Sequence, residues 1–149
     1  MVLEEKKIKK ICNFYVSDYH LEIMLLPYIS KKLENKESIV IITEKNLEDT
    51  IKIVIDRINL EQNKKQKIIN LGWNNSKIDN IIDNITENSN IILVGNTNFI
   101  NAKILELNEN QVINLKIISC YDFNEVKDNI QDIVNEYDGI LNTQGISNY

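Results

Sequence analysis

The chain has 149 residues, 43% hydrophobic and 26% charged, with a formal net charge of −5; this size and balance let a chain bury roughly two thirds of its unfolded surface without a disulfide or metal staple. Its longest apolar runs, Ile39 to Ile42 and Ile91 to Val94, fall far short of the about 20 residues that cross a bilayer. Basic residues are scattered except at Lys6 to Lys10 and Lys64 to Lys67, so neither a membrane nor a nucleic-acid partner is expected.

The basic start of the chain leads into no long apolar stretch or cleavage site, so no secretory signal is expected. The first strand is expected at Ile11 to Val16 and the first helix at about Tyr19 to Asn35. That helix contains the only proline, Pro27, whose ring and missing N–H bend a helix interior; the bend is either tolerated or opens a pocket above the first strand. A second strand follows at Ser38 to Thr43. The next helix is marked by Leu47, Ile51, Val54, Ile55 and Ile58, a single apolar stripe at helical spacing. A third strand is expected at Lys67 to Leu71, then a helix carrying Ile78, Ile81, Ile82 and Ile85. Asn90 to Val94 reads as a strand, Asn98 to Leu107 as a less regular helix, Leu115 to Cys120 as a strand, Val126 to Tyr137 as a helix, and Gly139 to Asn142 as a weak final strand.

Short β-branched runs alternating with helical segments predict an α/β fold: a three-layer α/β/α arrangement around an open, mainly parallel sheet of five to six strands, RecA-like or Rossmann-like, with residues 1–149 forming a single domain. Cys12 and Cys120 each fall in an apolar strand segment, where a reduced thiol acts as a small hydrophobe, and a cytoplasmic location is expected.

Catalytic and cofactor motifs are missing. The turn after the first strand reads Ser17, Asp18, Tyr19, His20, without the glycines that let backbone N–H groups cradle a phosphate. No GxGxxG, GxSxG, CxxC or HxxxH spacing occurs, so no metal and no cofactor are expected. A Cys120 and His20 thiol and base pair is the remaining catalytic option. Ligands of open parallel sheets bind beyond the carboxyl ends of the strands, and those ends supply Asp18, Tyr19, His20, Thr43, Glu44, Trp73, Asn74, Asn96, Asn98, Tyr121 and Asp122. Asp18 is read first as the N-cap of the first helix and only then as a ligand group, and the asparagines first as turn and cap residues. Trp73 is either a lid over the core or an apolar wall, and with Tyr19 and Tyr121 it would line a pocket for a small, partly apolar molecule.

The stretch from Asn13, Phe14 and Tyr15 through Leu25, Leu26, Pro27, Tyr28 and Ile29, and then Ser38 to Glu44, resembles the MEDS sensory domain of methanogen and methylotroph regulators. That family is similar to RecA-type ATPase cores without the phosphate-binding loop. Its members carry a histidine ahead of the first strand, whereas His20 follows it, so no residue role is carried over. The resemblance implies a non-enzymatic input domain. The expected function is therefore sensory or regulatory, through a small ligand, a protein partner, or both, at the carboxyl edge of the sheet. The alternatives are a degenerate nucleotide-binding module using Asn96, Thr97 and Asp122, and a structural subunit that forms a homo-oligomer.

Overall fold

A computed structural model describes residues 8–74, 85–109, 114–142 and 144–148. In chain order these form β1 (Ile8–Tyr15), α1 (Asp18–Glu34), β2 (Ile39–Thr43), α2 (Glu48–Asp56), α3 (Gln62–Ile69), β3 (Asn90–Val94), α4 (Thr97–Glu109), β4 (Leu115–Asp122), α5 (Phe123–Val126), α6 (Ile130–Val134), β5 (Gly139–Asn142) and β6 (Gly145–Asn148). No helix among the described residues is long and apolar enough to cross a membrane.

The strands form one sheet in the order β2-β3-β4-β1-β5-β6. All neighbours are parallel except β5 and β6, which close an antiparallel hairpin at one edge. Every residue of β3 is buried, as a strand covered on both faces requires. Because successive side chains alternate between faces, two cores result. Ile11, Tyr15, Ile41, Ile92, Ile118 and Cys120 pack beneath α1, α2 and α3. Cys12, Ile42, Ile91, Leu93, Ile117 and Tyr121 pack beneath α4, α5 and α6. The two cysteines are free, buried and on opposite faces.

Helix α1 presents Leu21, Leu25, Tyr28 and Ile29 to the first core, a stripe at the spacing a helix needs. It runs through Pro27 without interruption, and Pro27 lies on its exposed side. Beyond its end, Lys36 adopts a left-handed φ of 59°, and the Lys36 and Glu37 N–H groups donate to Leu33 and Lys32 carbonyls that the helix leaves unpaired.

The expected strand at Lys67 to Leu71 is instead the end of α3. Gln62, Lys64, Lys65 and Gln66 are good helix formers, and the apolar pair Ile68 and Ile69 is too short to impose a strand against them. The fifth predicted helix is two short ones, α5 and α6, separated by a turn in which Asn129 N–H donates to the Val126 carbonyl. Ile78, Ile81 and Ile82 lie outside the described residues, whereas Ile85 is buried in the second core.

From β1 the chain passes through α1 to the edge strand β2; from β4 it passes through α5 and α6 to β5, on the other side of β1. The two connections depart in opposite directions from neighbouring strands. Their carboxyl ends therefore flank a topological switch point, where open sheets place their ligands.

Candidate functional site

At the end of β1, Ser17 is the N-cap of α1: its backbone is extended, and its hydroxyl accepts the His20 N–H at 3.1 Å. The expected cap, Asp18, is instead the first helical residue. His20 folds back, its Nδ1 accepting the Val16 N–H at 3.0 Å. The Leu21 N–H donates to the Ser17 carbonyl. The Val16, His20 and Leu21 N–H groups are thus engaged within the turn itself, and the first helical residue is an acid, Asp18, which disfavours an anion there.

Asp18 is left to face the second strand end. Its Oδ1 accepts from Lys45 Nζ at 2.5 Å, and the same ammonium lies 4.7 Å from the centre of the Tyr15 ring. Thr43 shapes the loop that presents Lys45, its hydroxyl donating to the Lys45 carbonyl at 2.6 Å. Burial works against the Lys45 charge, but pairing with Asp18 and proximity to Tyr15 prevail and raise its pKa. Burial raises the Tyr15 phenol, and the Lys45 charge pulls it back.

One turn along α1 from Asp18, Glu22 is fully buried. Its Oε2 accepts from the Thr50 hydroxyl of α2 at 2.6 Å, while Oε1 has no hydrogen-bond partner. Burial pushes its pKa up to about 7; the Asp18 charge acts in the same direction, and Thr50 and Lys45 oppose it. Tyr15, Asp18, Glu22, Lys45 and Thr50 thus form a polar cluster between α1 and the start of α2. It holds one neutralised cation and one carboxyl that exchanges its proton near neutrality and lacks a donor for one oxygen.

The other expected site residues separate. Trp73 is 1% exposed in the first core, with its indole N–H donating to the Ile68 carbonyl at 2.7 Å. Tyr121 is buried in the second core and shares a 2.6 Å hydrogen bond with the Tyr137 hydroxyl. Tyr19 is 46% exposed. The three aromatics do not converge on a pocket, because β-strand alternation sends Tyr121 to the face opposite Trp73.

Glu44 and Asn74 stand near the cluster. Glu44 accepts the Asn96 N–H at 3.0 Å, and Asn74 donates to Glu48 at 3.3 Å. Asn96 Oδ1 accepts the Phe99 N–H at the start of α4, and Asp122 Oδ1 caps α5 by accepting the Asn124 N–H. Asn98 is exposed in the first turn of α4. Gly95, at the end of β3, is required for packing: a Cβ there would lie 2.5 Å from Phe99 Cδ1 and 3.1 Å from Glu44 Cβ.

Burial raises the Cys120 thiol far above its ordinary range, so Cys120 is the small buried hydrophobe expected of it and not the nucleophile of the remaining catalytic option. Reading strand ends missed Tyr15, Glu22, Lys45 and Thr50. Glu22 left one usable signal, an acid adjacent to Leu21 on the apolar stripe of α1, where burial forces a carboxyl to find a purpose or a partner. Among the described residues, no three His, Cys, Asp or Glu side chains stand close enough to share a metal ion. Comparison with protein-family models, curated proteins and solved structures gives no match for this chain.

Proposed function

We propose that this chain is a cytoplasmic regulatory domain of RecA-like form that binds a small hydrogen-bond-donating molecule at the carboxyl edge of β1 and β2 and passes its state to a protein partner. The observation that carries this reading is Glu22: a buried carboxyl beside a topological switch point, with one oxygen unpartnered. A buried acceptor without a donor costs about 1–3 kcal/mol, and a ligand that supplies the donor recovers that energy. The engaged turn at Ser17 and His20 disfavours a phosphate group there, consistent with a RecA-like core that lacks phosphate chemistry. The nucleotide-binding alternative is less well supported, since Asn96 Oδ1 and Asp122 Oδ1 both serve as helix caps.

The test is thermal denaturation of the protein against panels of amines, polyols and amino acids, followed by titration of any hit into Glu22→Gln and Lys45→Met. Binding weakened by about tenfold or more in Glu22→Gln supports the reading. Absence of a stabilising compound together with absence of a specific partner in affinity capture refutes it.

A further inference from the structure

On the face covered by α1, a concavity of about 430 Å³ separates that helix from the β5–β6 hairpin. Its walls are Met24 and Tyr28 of α1 and Leu141 of β5; Lys31, Lys32 and Lys116 supply its charge, and none of its described lining residues is acidic. Lys9 stands opposite Lys116 in the β1–β4 register and adds a fourth ammonium near this groove. Glu37 pairs with Lys32 at 3.4 Å. Around this one groove, four lysines thus meet one paired acid in a chain of net charge −5.

Three physical points give this groove its chemistry. Lys116 is half-buried, and desolvation together with the charges of Lys32 and Lys9 lowers its pKa, so its charged form is held at a cost that an anion would relieve. Lysine ammoniums bind phosphate as point charges, and three of them on one groove match the charge of about −1.5 to −2 on a phosphate better than that of a single carboxylate. The volume falls within the range of small-molecule sites, about 300–1,000 Å³, and the apolar wall leaves room for a ligand body beyond the anion. Asn142 and Gln144 at the hairpin turn add amides to the rim.

We infer that the groove between α1 and the β5–β6 hairpin is a binding site for a small organic phosphate, with Lys31, Lys32 and Lys116 on the phosphate and Met24, Tyr28 and Leu141 against the body. The site lies apart from the Glu22 cluster and does not depend on it.

Calorimetric titration tests this with adenosine monophosphate and ribose 5-phosphate, using adenosine, ribose and inorganic phosphate as controls at matched ionic strength. The expected result is saturable binding of at least one organic phosphate, tighter than that of inorganic phosphate and absent for the uncharged compounds. Affinity should fall about tenfold or more in Lys116→Gln and Lys32→Gln, survive in Lys116→Arg, and be unchanged in Glu22→Gln. Lys116→Gln without ligand should also melt roughly 1–3 °C higher, since it removes the repulsion. The inference is overturned if no phosphate compound binds above the salt control, if inorganic phosphate binds as tightly as both organic phosphates, or if binding is lost in Glu22→Gln and retained in the lysine variants.

Discussion

Glu22 occupies the side of α1 that faces the sheet, where Leu21, Leu25 and Ile29 are fully buried, and its charge is what that position penalises. Its pKa in the fold, about 7, lies above the ordinary 4.5, so the native state holds this proton more tightly than the unfolded chain does. The resulting stabilisation is complete below about pH 4.5 and disappears as the pH rises towards 7. At about 1.4 kcal/mol per unit, wild type should lose up to roughly 3 kcal/mol relative to Glu22→Gln across that window, as read by urea unfolding at a series of pH values. Parallel profiles for the two proteins would contradict the assignment. Trp73, the single tryptophan, gives a second check: Trp73→Ala should cost about 3–5 kcal/mol. Trp73→Phe should cost about 1–2 kcal/mol, because the smaller ring leaves a void and the Ile68 carbonyl loses the indole N–H while keeping the Leu71 N–H. Indole emission should be blue-shifted in the native protein and poorly quenched by acrylamide.

At the scale of elements, the β5–β6 hairpin depends on Gly139. A Cβ at that position would stand 2.8 Å from the Ser147 carbonyl oxygen and 3.2 Å from Ile11 Cδ1, and a backbone atom cannot rotate aside. Gly139→Ala should therefore destabilise the fold by about 1–3 kcal/mol and accelerate amide exchange at Ile140, whose strand must move; unchanged exchange there counts against this close packing. The sequence makes strands visible where burial on both faces produces an unbroken apolar run, as in Ile91 to Val94. It hides β6, where Gly145, Ser147 and Asn148 carry no such run, and it misleads at Ile68 and Ile69, where two apolar residues end a polar helix. The candidate site divides similarly. Asp18 and Thr43 are legible because strand-end position alone selects them. Glu22 and Thr50 meet across α1 and α2, a pairing that no spacing along the chain encodes; Tyr121 is misplaced because a strand end does not reveal which face a side chain takes, and Trp73 because the strand expected ahead of it is the end of α3.

At the scale of the molecule, the two cores share a single sheet, so loss of one uncovers the strands that support the other. Trp73 reports the core beneath α1, and the Tyr121 and Tyr137 pair reports the opposite one. Urea transitions followed by Trp73 emission, by the part of the near-ultraviolet tyrosine dichroism that Tyr121→Phe removes, and by far-ultraviolet dichroism should therefore coincide. A tyrosine signal lost ahead of the tryptophan signal would show that the layers unfold separately.

The strand order also carries a consequence for how the chain acquires its structure. Within the described chain, β1 precedes every other strand in sequence, yet Ile8 pairs with Leu115 and Ile11 with Gly139. Both ladders of the first-made strand await segments translated much later, while β2 and β3 can already join. Emerging from a ribosome, β1 and the apolar stripe of α1 would remain without their sheet partners through most of synthesis, an interval in which chaperone contact or slow, high-contact-order closure governs the yield of native protein.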